Sequence, residues 1–251
     1  MTSVYVDRNG VKLHVLDNES AGTKVPVLAV PGMGEEADEY AWLLDGLGDR
    51  RVVIVDVRGR GRSEAPDHGY TWEDHYGDVL AAMAATGIDR PIAMGYSRGT
   101  PYAFGAALHG TAPIRGFVIN DYQARQVGLP PDILEHMLQQ RTRGRTLAER
   151  MPEHAVRGVI EESKEISLWE RLVDLQCPVL VIRGGQPGSL IDDATVERFR
   201  AALPDIQVAT LAERGHGLWA RDIPAYLAVL EPFLAEVDRA ESTVNPPTTR
   251  A

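Results

Sequence analysis

Hydrophobic residues along this chain fall into short apolar runs that alternate with longer stretches of helical spacing. The chain opens with two segments of alternating polarity, residues 3–7 and 11–16, on either side of Asn9-Gly10. An Asn-Gly pair between alternating segments is a strong signal for a β-hairpin. The later runs are apolar and rich in β-branched residues, which is typical of strands buried on both faces. They cover residues 25–30, 51–57, 91–94, 114–120, 178–183 and 206–211.

Stretches with helix-like patterns separate most of these runs. They cover residues 38–47, 72–86, 98–108, 192–203 and 223–237. Strands that alternate with helices predict a mostly parallel sheet with helices on both faces. The chain is therefore predicted to have an α/β fold.

One interval breaks this alternation, because no strand pattern occurs between residues 121 and 172. We expect residues 122–171 to form a small helical cap, or lid, inserted after the sixth strand and lying over the carboxyl ends of the strands. The core would then comprise residues 1–121 and 172–240, followed by a flexible tail at 241–251. For the basic run at residues 141–145, we favour a solvated helix face offset by nearby acidic residues.

Composition narrows the class of protein further. The chain has 251 residues, of which 44% are hydrophobic and 25% charged, as in an ordinary globular domain. Its formal net charge of -10 disfavours nucleic acid and anionic membrane surfaces as partners. The single cysteine, Cys177, rules out an internal disulfide and is expected to be a buried thiol at a strand edge. With no signal peptide pattern and no long apolar run, we expect a cytoplasmic protein.

The pentapeptide Gly95-Tyr96-Ser97-Arg98-Gly99 carries the most chemical information. It follows a predicted buried strand and precedes a predicted helix. A turn this tight forces its central residue into a strained conformation, which requires small neighbours on both sides. Ser97 would therefore stand at the apex of the turn as a candidate nucleophile. A serine hydroxyl needs a base and an orienting acid elsewhere in the chain.

Four motifs in order along the chain together resemble the α/β-hydrolase superfamily. They are Pro31-Gly32-Met33-Gly34, the stretch at residues 56–63, the turn at Ser97, and Gly215-His216-Gly217. The resemblance covers residues 4–237 and implies an eight-stranded sheet that carries a nucleophile elbow, an oxyanion loop and a catalytic histidine. It also implies that the backbone amides of Met33 and Arg98 form the oxyanion hole. The Arg-rich loop at residues 58–62 matches a loop that is usually structural in this superfamily.

His216 is the candidate general base. It follows the last predicted strand, and the glycines on both sides would let its ring return over the turn at Ser97. None of the other six histidines has such a setting.

The acid of the triad is less directly marked. The resemblance places it at Pro187, which has no carboxylate. Asp121 follows the sixth predicted strand, where some members of the superfamily keep their acid, and we favour it. Asp192 and Asp193 are the alternatives, although both are better explained as the cap and first turn of a helix.

Three side chains are candidates for substrate binding. Arg98 could hold a substrate carboxylate, but we favour its pairing with Glu35 or Glu36 near the oxyanion loop. Tyr122 and Trp219 lie close in sequence to Asp121 and His216, so they could form walls of the pocket or fill the core.

These observations predict a serine hydrolase without a cofactor that cleaves an ester or related acyl bond of a small molecule. No residue spacing typical of a metal site and no dinucleotide fingerprint is found. A C–C bond hydrolase, a non-hydrolytic cyclase or lyase, and a ligand-binding protein with a vestigial triad remain open alternatives. The oligomeric state is left open.

Overall fold

The main sheet contains eight strands, which come from nearly the whole length of the chain. The computed structural model describes residues 2–244. The strands are β1 (Thr2–Arg8), β2 (Val11–Asp17), β3 (Val27–Val30), β4 (Val52–Asp56), β5 (Ile92–Tyr96), β6 (Gly116–Asn120), β7 (Val179–Gly184) and β8 (Gln207–Leu211). Each lies within a few residues of an apolar run or of the predicted hairpin.

The order of the strands explains where a site can form. Across the sheet the order is β1-β2-β4-β3-β5-β6-β7-β8. The hairpin β1–β2 and the pair β2–β4 are antiparallel, whereas all pairs from β4 to β8 are parallel. The carboxyl ends of β3, β5 and β6 therefore meet at one edge, which is where an open α/β sheet binds ligands.

Helices cover both faces of the sheet, as the alternation predicted. The helices of residues 2–244 are α1 (Ala41–Gly46), α2 (Trp72–Thr86), α3 (Gly99–His109), α4 (Leu134–Gln139), α5 (Glu153–Glu162), α6 (Asp193–Ala202) and α7 (Ile223–Val244), of which α4 and α5 pack in a separate cluster and not on the sheet. One buried cluster joins the sheet to α2, α3 and α6 through residues such as Val79, Phe104 and Phe199. A second joins the other face to α1 and α7 through Leu43 and Leu230. The predicted mostly parallel sheet with helices on both faces is confirmed.

The last helix is longer than its sequence pattern indicated. α7 continues to Val244, so residues 241–244 are helical rather than part of a tail. Glu241 is held by Arg115, whose Nε atom lies 2.6 Å from Glu241 Oε2. This pairing holds the start of the extension against the residue that precedes β6. The rest of the expected tail, residues 245–251, lies outside the described residues.

Residues 122–171, which we call the lid segment, contain α4 and α5 together with short 3₁₀ turns. The segment also contains two pairs of two-residue strands, which we did not expect: Arg125–Gln126 with Ile166–Ser167, and Arg141–Thr142 with Arg145–Thr146. Strands this short show no alternation in the sequence. The lid segment has its own apolar cluster, which includes Met137, Leu147 and Val156 and contacts Met33 of the core.

Candidate active site

Ser97 lies at the turn between β5 and α3, in the backbone conformation that the pentapeptide predicted. Its φ angle is +49°, in the left-handed region that non-glycine residues rarely occupy. The flanking glycines are required by close packing. A Cβ atom on Gly95 would lie 2.3 Å from the Cα atom of Thr100. A Cβ atom on Gly99 would lie 2.2 Å from the carbonyl oxygen of Val30. A side chain at either position would therefore disrupt the turn that carries Ser97.

Asp121 and His216 lie next to each other although they are 95 positions apart in the sequence. Asp121 follows β6, is fully buried, and accepts a hydrogen bond of 2.8 Å from His216 Nδ1. The hydroxyl of Ser189 donates to the same carboxylate at 2.5 Å and the Leu190 amide at 3.0 Å, and the Gly184 amide lies 3.4 Å away. These donors fix the carboxylate in place, so it can hold the Nδ1 edge of the His216 ring.

The ring of His216 lies against the serine turn. Tyr96, directly before Ser97, stacks on the imidazole with ring centroids 4.9 Å apart. The Tyr96 hydroxyl donates to the His216 carbonyl oxygen at 2.9 Å. Among residues 2–244, no hydrogen bond joins the Ser97 hydroxyl to His216; such bonds are often long until a substrate is bound.

The other carboxylates that we considered for the acid lie at the start of helix α6, Asp192 directly before it and Asp193 as its first residue. The Asp192 side chain caps that helix by accepting from the Thr195 amide at 2.8 Å. Asp193 is exposed and forms an ion pair with Arg183 at 2.6 Å. Both therefore have the helix-start roles that the sequence indicated. Pro187 lies in the loop whose Ser189 and Leu190 contact Asp121, so this loop supplies hydrogen-bond donors to the Asp121 carboxylate.

Two backbone amides near Ser97 are available to a ligand. Among the described residues, neither the Met33 nor the Arg98 amide donates to a protein acceptor. Both residues line the same cavity as Ser97. Backbone amides without a protein acceptor are the kind of donor that stabilises negative charge on an oxygen atom.

The loop after β3, which carries Met33, is tied to the lid segment by ion pairs. They are Arg143 with Glu35 (3.0 Å), Arg143 with Glu39 (3.4 Å), Arg145 with Glu36 (2.8 Å) and Arg150 with Glu39 (2.8 Å). Our sequence-based pairing of Arg98 with Glu35 or Glu36 is therefore wrong. The basic run is also not a solvated helix face, since residues 141–146 form a hairpin whose turn reaches this loop.

Glu35 is the most buried of these acidic residues, with 4% of its surface exposed. Burial raises the pKa of its carboxyl above the ordinary value, although Arg143 and the hydrogen bond from the Tyr40 hydroxyl act to lower it. The Gly32 amide donates to the same carboxylate at 3.3 Å. Glu35 thus connects the lid segment to the loop that carries Met33.

Arg98 contacts the core and two parts of the lid segment. Its Nε atom donates to the Tyr102 hydroxyl at 3.2 Å, and its Nη2 atom to the Val127 carbonyl oxygen at 3.2 Å and to the Ser163 hydroxyl. The side chain is 5% exposed, and within residues 2–244 it has no carboxylate partner. A guanidinium buried without a counterion is unusual, because burial of an uncompensated charge is unfavourable.

Two cavities meet at Arg98 and Tyr122. The first, of about 180 Å³, is lined by Ser97, Met33 and lid residues including Leu147. The second, of about 230 Å³, lies beside it and is lined by residues including Arg125 and Leu190.

Only one of our two aromatic candidates contacts these cavities. Tyr122 lines both of them. Trp219 lines neither, which contradicts our placement of it in the pocket. It is 4% exposed and packs in the core against Tyr40 and Tyr96, with centroids 5.2 Å and 4.6 Å apart. A large aromatic ring in the loop after His216 is drawn into the core by its apolar area.

Several residues that shape this site carry little signal in the sequence pattern. Ser189 and Leu190, which hold Asp121, come from an ordinary-looking loop. Arg143 was visible only as part of the basic run at residues 141–145, Arg150 lies outside that run, and the partners of both depend on the fold.

Within residues 2–244, no group of three or more His, Cys, Asp or Glu side chains is arranged to hold a metal ion. In the same part of the chain, no helix combines the length and apolar character that crossing a membrane requires.

Comparison with known proteins identifies the family to which this fold belongs. A family model for the alpha/beta hydrolase fold matches residues 25–158, which is more than half of the chain. The chain therefore belongs to the α/β-hydrolase family, a family of enzymes, and its relatives are named hydrolases, esterases and deformylases.

Among these relatives is the N-formylmaleamate deformylase of Pseudomonas putida, which is 26% identical over 91% of this chain and 95% of its own length. Among solved structures, an esterase from Exiguobacterium antarcticum matches with a TM-score of 0.78 and 16% identity, covering 93% of this chain and all of that one. The enol-lactonase from Burkholderia xenovorans matches with a TM-score of 0.76 and 21% identity, over 92% of this chain and all of that one. The two structures show the shared fold.

Proposed function

We propose that this α/β hydrolase cleaves an ester or a related acyl bond of a small molecule by nucleophilic catalysis. Ser97 is the nucleophile, His216 the general base and Asp121 the acid that orients it. The observation that carries the proposal is the hydrogen bond of 2.8 Å between a fully buried carboxylate and a histidine whose ring lies against a strained serine turn.

The reaction has two steps. His216 takes the proton of the Ser97 hydroxyl as the oxygen attacks the substrate carbonyl, and the Met33 and Arg98 amides donate to the resulting oxyanion. His216 then gives the proton to the leaving group, which departs and leaves an acyl group on Ser97. A water molecule, deprotonated by His216, releases the acyl group and restores the serine.

The cavity and the relatives favour a compact substrate. The cavity at Ser97 has a volume of about 180 Å³, which is smaller than typical pockets for drug-sized ligands. The relatives named deformylase and enol-lactonase act, by their names, on a formyl group and on a lactone. We propose that the substrate enters between the sheet edge and the lid segment.

Labelling with a fluorophosphonate tests the proposal directly, because the probe reacts with an activated serine. We expect labelling at Ser97, and loss of labelling in Ser97→Ala and His216→Ala proteins. The same proteins should lose hydrolysis of short 4-nitrophenyl esters. An intact, folded protein whose Ser97 stays unlabelled would contradict nucleophilic catalysis and favour the binding or cyclase alternatives.

A further inference from the structure

The most unusual charge near the nucleophile is the guanidinium of Arg98. It is almost fully buried, it lines both cavities, and no Asp or Glu among the described residues pairs with it. Its Nε and Nη2 atoms bind neutral oxygens, whereas its Nη1 atom has no acceptor within residues 2–244. The Nη1 end of the guanidinium is therefore free to donate hydrogen bonds to a ligand.

A second buried cation lies close to Arg98 and increases the local positive charge. The Arg60 guanidinium lies 5.8 Å from the centroid of the Tyr102 ring, whose hydroxyl accepts from Arg98. Arg60 is 3% exposed, and its partners are the Arg58 carbonyl oxygen and His75, both uncharged acceptors. Burial, together with the nearby Arg98, lowers the pKa of Arg60. The region therefore carries positive charge that an anion would neutralise.

The second cavity is the place where that anion fits. Arg98 and Arg125 both line it, with no acidic residue in its wall. Arg125 pairs with Glu165 at 3.5 Å, so of the two arginines that line this cavity Arg98 is the one without a carboxylate partner among the described residues. Tyr122 and Leu129 line both cavities, so one small molecule can have its acyl carbon at Ser97 and another group in the second cavity.

We infer that the substrate carries a carboxylate, which binds Arg98 in this second cavity while the acyl group lies at Ser97. The substrate class is then a monoester or monoamide of a short dicarboxylic acid, or a lactone that bears a carboxylate. This inference rests on the proposed function, because it names the substrate of the same site. Its physical basis is the strength of a hydrogen bond between two charged groups that are shielded from water.

Two other roles for Arg98 predict different behaviour. If the side chain only anchors the lid segment through Val127 and Ser163, its loss would affect every substrate alike. The same holds if the guanidinium only stabilises the oxyanion. A role in binding a carboxylate changes the preference between charged and neutral substrates.

A matched pair of substrates therefore tests the inference. The 4-nitrophenyl monoesters of glutaric acid and of glutaric acid monoamide have the same shape and differ in one charge. In the wild-type protein we expect a higher kcat/KM for the acid. In Arg98→Met we expect the ratio of the two kcat/KM values to fall by about 10- to 100-fold, which is the effect of losing a charge-assisted hydrogen bond. Arg98→Lys should retain part of the preference.

The control is Arg157→Met, which removes an exposed arginine of the lid segment and changes the net charge equally. Its substrate ratio should match the wild type, and the Ser97→Ala protein gives the background rate. A ratio that is the same in wild type and Arg98→Met, or a wild-type preference for the neutral ester, would overturn the inference.

Binding of glutarate separates this inference from the proposed function. Glutarate should raise the Tm of the wild-type and Ser97→Ala proteins, but not that of Arg98→Met, and glutaramide should have no effect. If Ser97 proves inert while glutarate binding depends on Arg98, the anion site stands and the hydrolase mechanism fails. If esters are hydrolysed at Ser97 but glutarate has no effect on Tm in any of these proteins, the anion site fails.

Discussion

Asp121 combines an unusual backbone conformation with a full set of hydrogen-bond donors. Its φ angle is +49°, the same as that of Ser97, and both residues directly follow strands of the parallel sheet. Strained residues are retained when the surrounding structure holds them, and they are concentrated at functional sites. The carboxylate accepts from His216, Ser189 and the Leu190 amide, so its orientation is fixed before a substrate arrives.

We expect that replacing the Asp121 carboxylate greatly reduces the catalytic rate. In Asp121→Asn the side chain keeps its size but can no longer orient and stabilise a protonated His216, so we expect kcat to fall by about 10³- to 10⁴-fold. Steady-state hydrolysis of a 4-nitrophenyl ester measures this, with circular dichroism to show that the fold is intact. Asp193→Asn is the matched control and should retain wild-type kcat, because Asp193 lies in α6 and pairs with Arg183. Equal rates for Asp121→Asn and wild type would exclude Asp121 as the acid.

Single residues of the candidate site could be predicted from the sequence where their conformation depends only on neighbouring residues. The turn at Ser97 was predictable because close packing imposes glycines at fixed positions on either side of it. The partners of Arg98 were not predictable, since they depend on where Val127 and Ser163 fold, far along the chain. Asp121 could be favoured but not chosen from sequence alone, because its contact with His216 exists only in three dimensions.

The single cysteine gives a prediction that depends on pH. Burial raises the pKa of the Cys177 thiol to about 12 in the folded protein. An exposed thiol has a pKa of about 8.5, so at pH 8.5 the folded protein holds a proton that the unfolded chain half releases. Iodoacetamide should therefore alkylate the native protein about 10²- to 10³-fold more slowly than the unfolded protein in guanidinium chloride. Mass spectrometry follows the reaction, and similar native and unfolded rates would show an accessible thiolate.

Among the elements, the lid segment shows the limits of pattern analysis. The core helices and the opening hairpin were predictable because they display periods of about 3.6 and of two residues, and the buried strands because each is a continuous apolar run. The hairpin Arg141–Thr142 and Arg145–Thr146 is polar and has two residues in each strand, so it shows no period at all. It is held instead by the contacts of Arg143 and Arg145 with acidic residues of the core.

The contact between Arg143 and Glu35 should couple the lid segment to the loop that carries Met33. Arg143→Met leaves the Glu35 carboxylate buried without its cation, and it removes an interaction that lowers the pKa of Glu35. We expect a lower free energy of unfolding and a lower kcat/KM, with the pKa of Glu35 raised further. Adding Glu35→Gln to the Arg143→Met variant should restore part of the free energy of unfolding and part of kcat/KM, since a neutral amide needs no counterion.

A double-mutant cycle measures this coupling. Unfolding in urea of the wild type, the two single variants and the double variant should give an interaction free energy of about 1–3 kcal/mol. Arg157→Met is again the control, because its partner Glu153 is exposed and such pairs contribute little. If the changes in unfolding free energy for Arg143→Met and Glu35→Gln add up in the double variant, the ion pair does not couple the lid segment to the loop that carries Met33.

In the molecule as a whole, the candidate site and a buried ion pair that stabilises the fold lie at opposite ends of the parallel strands. Ser97 and Asp121 lie at the carboxyl ends of β5 and β6, and Glu35 follows β3 at the same edge. At the opposite end, just before β4, Arg50 is buried and pairs with Asp238 of α7. Substitutions at that end should therefore change stability without changing catalysis.

Asp238→Asn tests this separation. The carboxylate receives two hydrogen bonds from Arg50, at 3.0 Å and 2.6 Å, and one from the Val25 amide at 2.9 Å. Its neutralisation leaves the buried Arg50 guanidinium without a counterion, so we expect the free energy of unfolding to fall by about 2 kcal/mol. For a chain of this size the Tm should fall by about 4–8 °C.

Asp49→Asn is the matched control and should leave the Tm unchanged, because Asp49 pairs with Lys24 at the exposed surface. At a temperature where both variants are folded, kcat should equal that of the wild type, since a sheet that transmits no strain from one end to the other leaves Ser97 and His216 in place. A large loss of kcat in folded Asp238→Asn protein would show that α7 positions the catalytic residues as well as stabilising the core.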